Sequence, residues 1–171
     1  PGNRIRATVI GASQFTVQVS GKTIYLSSPE VLPVHNVPVV PIGVDLSGTI
    51  DPDAVAAAIT QKFEQLDIEP GGRMAVSFTW AGDPEYSRLA ACAKGILKAP
   101  APKGKRHEPL LLMIDGDVGM TLGRILTTEV APGARAISVD SVQLNEFDYV
   151  DIGAVAQPAN VVPIVIKSLV F

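Results

Sequence analysis

Arg4-Ile-Arg-Ala-Thr-Val-Ile-Gly-Ala-Ser-Gln-Phe-Thr-Val-Gln-Val-Ser-Gly-Lys-Thr-Ile-Tyr-Leu26 reads as three short strands joined by two tight turns. Ile5, Ala7 and Val9 alternate with Arg4, Arg6 and Thr8, and Phe15, Val17 and Val19 alternate with Thr16, Gln18 and Ser20. A period of two marks half-buried antiparallel strands, so a β-meander is expected here. Ser20-Gly21 falls where a two-residue hairpin needs a positive φ, which glycine adopts at little steric cost. The first turn would be Gly11-Ala12-Ser13-Gln14, small, polar and rich in backbone donors.

Beyond the meander, Pro29 to Ile42 carries Pro33, Pro38 and Pro41, a spacing that suits an extended edge or a connection rather than a central strand. Asp51-Pro52-Asp53 announces a helix, with Val55, Ile59, Phe63 and Leu66 on one face, ended by Pro70-Gly71-Gly72. Met74 to Trp80 is a strand, and Asp83-Pro84-Glu85 opens a second helix with Leu89, Ala93 and Ile96 as its apolar stripe. Ala99 to Glu108, with Lys103, Lys105 and Arg106, is a basic surface loop. Pro109 to Ile114 is a continuous apolar run, as in a strand covered on both faces. Asp115-Gly116-Asp117 then leads into a helix through Leu122, Ile125 and Leu126, closed near Pro132-Gly133. Ala136–Val139, Tyr149–Ile152 and Val161–Ile166 finish the chain as strands.

The order β-β-β-α-β-α-β-α over residues 1–133 is that of the ribonuclease H-like fold, a mixed α/β sheet with helices on its faces that also builds one half of an actin-like ATPase. Residues 134–171 complete or extend that domain.

With 171 residues, 47% hydrophobic and only 18% charged, the chain has the length of one domain and enough apolar content for a packed core. Fourteen basic against 17 acidic residues leave a net charge of −3, which gives no footprint for nucleic acid. The single Cys92 excludes an intrachain disulfide framework, and its place on an alanine-rich helix makes it a core residue rather than a nucleophile. No apolar run reaches the length of a membrane span and no signal peptide opens the chain, so cytosol is the default location. The chain starts Pro1-Gly2 rather than with Met, and a piece trimmed from a longer protein is expected.

Ligands of open α/β sheets gather outside the carboxyl ends of the strands, and three loops qualify. Gly11-Ala12-Ser13-Gln14 could present backbone N–H groups and a hydroxyl to a phosphate, or be an ordinary hairpin turn. Trp80-Ala81-Gly82-Asp83 could admit a ligand to the backbone at Gly82, or Asp83 could simply cap its helix. Asp115 and Asp117, either side of Gly116, could hold Mg²⁺ through water, or be a turn acid and a helix N-cap. Gly119 and Gly123, four apart, mark close helix packing. His35 and His107 have no partner at ligand spacing, and no catalytic residue is assigned.

Arg4 to Gln14, Leu32-Pro-Val-His-Asn-Val-Pro38, Asp117-Val-Gly-Met-Thr-Leu-Gly123, Asp148-Tyr-Val-Asp-Ile-Gly153 and Val161 to Phe171 together resemble the reactivating factors of ethanolamine ammonia-lyase, over essentially the whole chain. The resemblance implies a chaperone-like ATPase of the actin and sugar-kinase superfamily. Such factors use ATP and Mg²⁺ to open an inactivated lyase, so that damaged cobalamin leaves and intact adenosylcobalamin, the client's own cofactor, replaces it. It implies ethanolamine ammonia-lyase as partner, together with the N-terminal half of the same full-length chain, which carries the first phosphate loop. A cytosolic place, with association to a bacterial microcompartment, goes with it. By matching position, Gly11, Ala12, Ser13 and Gln14 would form the second phosphate hairpin, and Ala81, Gly82 and Asp83 would lie near the adenosine side. The usual acid–Gly–Gly hairpin and paired-glycine adenosine loop of the superfamily are both missing from these positions. A nucleotide-independent docking domain and half of a hydantoinase-type enzyme are the competing readings, and fold alone does not choose among the three.

Overall fold

Leu111, Leu112, Met113 and Ile114 are consecutive and all without solvent exposure. A strand apolar on both sides has to be covered on both sides, and this chain covers them in two different ways. The computed structural model describes residues 11–20, 23–67, 73–99 and 109–170. They form strands β1 (Gly11–Ser20), β2 (Ile24–Leu26), β3 (Val34–Pro41), β4 (Ala75–Thr79), β5 (Leu110–Asp115), β6 (Ala136–Asp140), β7 (Asp148–Ile152) and β8 (Val161–Val170). Three helices, α1 (Pro52–Gln65), α2 (Tyr86–Lys98) and α3 (Gly119–Ile125), alternate with β3 to β6, and α3 runs on as a π-helical turn over Leu126–Val130.

The strands make one mixed sheet in the order β1-β8-β7-β3-β4-β5-β6-β2. β3 to β6 are mutually parallel, while β2 is antiparallel to β6, and β7, β8 and β1 continue antiparallel from β3. Alternate residues of the parallel strands, Val40, Val76, Phe78, Leu112, Ile114 and Ala136, pack with Val55 and Ile59 of α1, Leu89, Ala93 and Ile96 of α2, and Leu122 and Ile125 of α3. All three helices therefore share one face. The opposite residues, Val39, Ala75, Leu111, Met113, Ile137 and Val139, join one cluster with Ile24 of β2, Val150 and Ile152 of β7, and Val162, Ile164 and Ile166 of β8. Strands near both margins reach the same core, so the sheet curls into a half-barrel and covers its second face itself.

The mixed sheet with flanking helices agrees with the sequence reading, although the helices occupy one face of it rather than its faces, and three further expectations are corrected. No meander joins the described parts of the first strands: β1 pairs with β8 and β2 with β6, at opposite edges. Gly11-Ala12-Ser13-Gln14 is not a turn but the start of β1, aligned with Val170, Leu169, Ser168 and Lys167, because β8 offers a full-length partner. The proline-spaced segment supplies β3, a central strand. It tolerates its prolines because β7 pairs only as far as Pro38 and β4 pairs from Val39 to Pro41, which leaves Pro38 and Pro41 at ladder ends. Arg4 to Ile10, the Ser20-Gly21 turn and most of the basic loop (100–108) lie outside the described residues.

Val34 and Val37 both face the inner cluster although they are three residues apart, which a period of two forbids. A β-bulge between them resets the register, with Asn36 at φ +54°. Asp151 of β7 holds the bulge by accepting the Asn36 N–H at 2.7 Å, and Lys167 of β8 reaches both the Asp151 carboxylate (2.8 Å) and Asn36 Oδ1 (3.0 Å). Partial burial pushes the Asp151 carboxyl up, but the Asn36 N–H and the Lys167 ammonium outweigh it and hold the group below its ordinary value.

Asp151→Ala should therefore cost about 1–2 kcal/mol at pH 7, the scale of a charge-assisted hydrogen bond. A carboxyl depressed in the folded state stabilises it above the unfolded pKa of about 3.9 and stops doing so as pH falls through the folded value. Urea unfolding of wild type and variant across pH 2–7 should show the two curves converging at the acid end.

Candidate functional site

The directions of the strands bring one set of ends to one rim. The carboxyl ends of β3, β4, β5 and β6 lie there, and β8 runs in the same sense. β1 is antiparallel to β8, so its Gly11 end reaches this rim as well. Gly11 to Gln14, Ala81 to Asp83 and Asp115 to Asp117 thus share one side of the sheet. Only the last two are neighbours; β1 is four strand positions from β4.

Trp80, just past β4, donates its backbone N–H to the Asp115 carbonyl at 3.0 Å. Gly116 lies against Trp80, and a Cβ on it would meet the Trp80 Cβ at 3.0 Å. The two loops are in this way stitched side by side. Trp80 Nε1 donates to the Gly82 carbonyl at 3.2 Å, and Gly82 takes a φ of +80° that other residues rarely adopt.

Arg88, in the first turn of α2, fixes this loop to the one after β3. Its Nε donates to the Gly48 carbonyl (2.9 Å), Nη2 to the carbonyls of Ala81 (2.7 Å) and Leu46, and Nη1 to that of Asp83. The guanidinium also lies 4.8 Å from the Trp80 ring centroid, a cation–π contact. Between the joined loops opens a cleft of about 350 Å³, walled by Ser47 to Ile50 on one side and by Asp83, Glu85, Ser87 and Arg88 on the other. Asp83 is not the helix cap expected of it. α2 starts at Tyr86 with Glu85 in the N-cap position and no side-chain cap, which leaves the exposed Asp83 side chain at the cleft.

The third loop follows similar logic. Asp117 does not cap α3 either: Val118 holds the N-cap position, and the capping carboxylate comes from Asp140 at the end of β6. Asp140 Oδ1 accepts the N–H groups of Gly119 (2.6 Å) and Val118 (3.2 Å). Burial, with Asp117 nearby adding to it, raises the Asp140 carboxyl above its ordinary value in spite of those N–H groups. Gly119 and Gly123 are required by packing, since a Cβ would come within 2.6 Å of Asp140 Oδ1 and 2.5 Å of the Tyr25 ring. Gln143 Nε2 donates to Asp115 Oδ2 at 3.0 Å, and Ser141 N donates to the Gly116 carbonyl at 3.1 Å.

Asp115 is half-buried and Asp117 exposed. Among the described residues no group of three or more His, Cys, Asp or Glu could hold a metal. Asp115 and Asp117 present carboxylate oxygens, the donor type that hard cations prefer. Cys92 is buried, and burial pushes its thiol up to about 12, a core residue's value. No helix among the described residues is long and apolar enough to cross a membrane.

The model of one protein family, described as ethanolamine utilisation protein EutA, matches residues 1–171. The chain belongs to the EutA family. It is 33% identical over 172 residues to the ethanolamine ammonia-lyase reactivase EutA of Escherichia coli K12, and 35% identical over 172 residues to its counterpart in Salmonella typhimurium LT2. Both alignments cover 100% of this chain but 35% of the relative, so the chain spans about a third of the length of the reactivases it matches. No solved structure matches.

Three residues of this EutA-family rim escape a reading of the sequence: Arg88, Asp140 and Gln143. Asp140 leaves a trace, since Ser138 and Asp140 are polar at alternate positions of an otherwise apolar strand. Arg88 and Gln143 leave none, because their partners lie 28 or more residues away apart from the nearby loop carbonyls.

Arg88→Lys should unfold at lower urea, by about 1–3 kcal/mol, because an ammonium cannot span the carbonyls that the planar fork joins. A red shift of Trp80 emission should accompany it; wild-type stability and emission would mean that the loops hold without the fork.

Proposed function

We propose that this chain forms one wall of the nucleotide site in an ATP-dependent reactivating factor for ethanolamine ammonia-lyase. The observation that carries the reading is the stitching of the Trp80–Asp83 loop, through Trp80, to Asp115 and Gly116 at the strand ends, in a chain related throughout to proteins named reactivases. ATP, when bound, would supply the free energy of phosphoanhydride cleavage. The Gly82 backbone would admit the nucleoside and Asp115 and Asp117 would hold Mg²⁺ through water, whereas Gly11–Gln14, extended in β1 four strand positions from β4, stands apart from that site. In this reading the domain is one half of an actin-like, ribonuclease H-like pair, and the N-terminal half of the full-length chain closes the cleft. The shape change on closure would pry open the inactivated lyase, release damaged cobalamin and admit adenosylcobalamin.

A second reading, a docking domain that needs no nucleotide, draws on Arg88. The cation lining the cleft is spent on four backbone carbonyls and is not free for a phosphate. One assay separates the two readings. In the full-length protein, Gly82→Val and Asp117→Asn should each lower ATP turnover and lyase reactivation at least about tenfold, the loss of one site contact, with lyase binding retained. Undiminished reactivation in both variants would leave the docking domain as the function.

A further inference from the structure

β1 and β2 are the two edges of the sheet, and they are built differently. An edge strand offers a row of unpaired N–H and C=O groups to any other strand, and proteins blunt it with short length, charge, proline or a bulge. β2 is blunted: it has three residues and leads by Pro29 into a 3-10 turn. β1 carries none of these devices. Its ten residues, Gly-Ala-Ser-Gln-Phe-Thr-Val-Gln-Val-Ser, include no charged group and no proline. Its ladder with β8 runs from Gly11 opposite Val170 to Ser20 opposite Val161 without a register shift, so no bulge turns the edge away. Among the described residues nothing pairs with its other side. Gln14 and Thr16 are exposed.

We infer that β1 is a docking edge for a second copy of this chain, pairing antiparallel with the second copy's β1 about a two-fold axis normal to the sheet. Two properties of the strand choose a second copy over an unrelated partner. All 14 basic and 17 acidic residues lie outside β1, so two copies meet there without like charges opposed. The residue pattern is also self-complementary. Opposed residues of antiparallel strands share a face, so each residue must oppose one that stands an even number of positions from it. A two-fold axis through Thr16 meets that rule and overlaps residues 12–20 of both copies. It sets Thr16 opposite Thr16, Gln14 opposite Gln18 and Phe15 opposite Val17, so that hydroxyl meets hydroxyl, amide meets amide and apolar meets apolar. Positions 15 and 17 are in register with Ile166 and Ile164 of the inner cluster, and the pairing carries that apolar row across the axis. Such a contact uses the edge of both copies at once, so the assembly closes at a dimer instead of growing. β1 lies four strand positions from β4, and the inference does not rest on the nucleotide reading.

The test is the oligomeric state of the full-length protein, read by sedimentation velocity over a range of concentrations. The wild type should sediment as a dimer. Thr16→Lys and Thr16→Glu each set like charges face to face at the axis, and each should weaken the dimer at least about tenfold. An equimolar mixture of the two should restore it, because lysine then opposes glutamate; chains that had merely lost their fold would not recover in this way. A monomeric wild type overturns the inference. A dimer that both variants keep overturns it as well, since the contact then lies elsewhere, and so does loss in both folded variants without recovery in the mixture. Should either charged variant fail to fold, Thr16→Cys carries the test. It should give a covalent dimer on oxidation, whereas Gln61→Cys, also exposed but on α1, should not; equal cross-linking in the two, or none in Thr16→Cys, overturns the edge pairing.

Discussion

Everything in this structure depends on the need to bury both faces of four parallel strands when all three helices lie on one of them. Helices α1, α2 and α3 cover the face carrying Val76, Phe78, Leu112 and Ile114. The face carrying Leu111, Met113, Ile137 and Val139 meets no α-helix among the described residues and is closed by Ile24 of β2, by Val31, Leu32, Val142 and Leu144 of the connections, and by β7 and β8. The β3 bulge is part of that solution: it lets Val34 and Val37 face inwards together and adds local twist where the sheet turns. The Asp151–Asn36–Lys167 cluster secures the bend from the outside.

The same geometry gathers the loops. Parallel strands in sequence order send every carboxyl end to one rim, so the connections after β3, β4, β5 and β6 become neighbours in turn. Each is then fastened to the next: the β3 and β4 loops by Arg88, the β4 and β5 loops by the Trp80 N–H, and the β5 and β6 loops by Asp140 and Gln143. The fastenings reach mainly backbone groups. Asp83 and Asp117 are left exposed, and these are the side chains a ligand could meet.

Local chemistry made much of this legible. Asp51-Pro52-Asp53 starts α1 as read, with the Asp51 side chain accepting the Asp53 N–H at 2.9 Å. The apolar run before Asp115 is a strand buried on both sides. Gly119 and Gly123 mark close packing, as their spacing suggested. The reading went astray wherever a partner from far along the chain outbid the neighbour. Gly11–Gln14 has the composition of a turn but extends because β8 pairs with it. Asp83 and Asp117 have the spacing of helix caps, yet α2 begins later than Asp83 allows, and the α3 cap comes from Asp140.

The sequence by itself pointed to the three helices, to strands β4 to β8 and to the EutA kinship, because propensity, periodicity, capping and family motifs are written in a few neighbouring residues. Tertiary structure alone decided that the helices share a face, that the first strands part to opposite edges, and that Asp140, Gln143 and Arg88 hold the rim. Those outcomes depend on which apolar faces find each other and on hydrogen bonds spanning 21 to 42 residues, and no local pattern encodes such pairings.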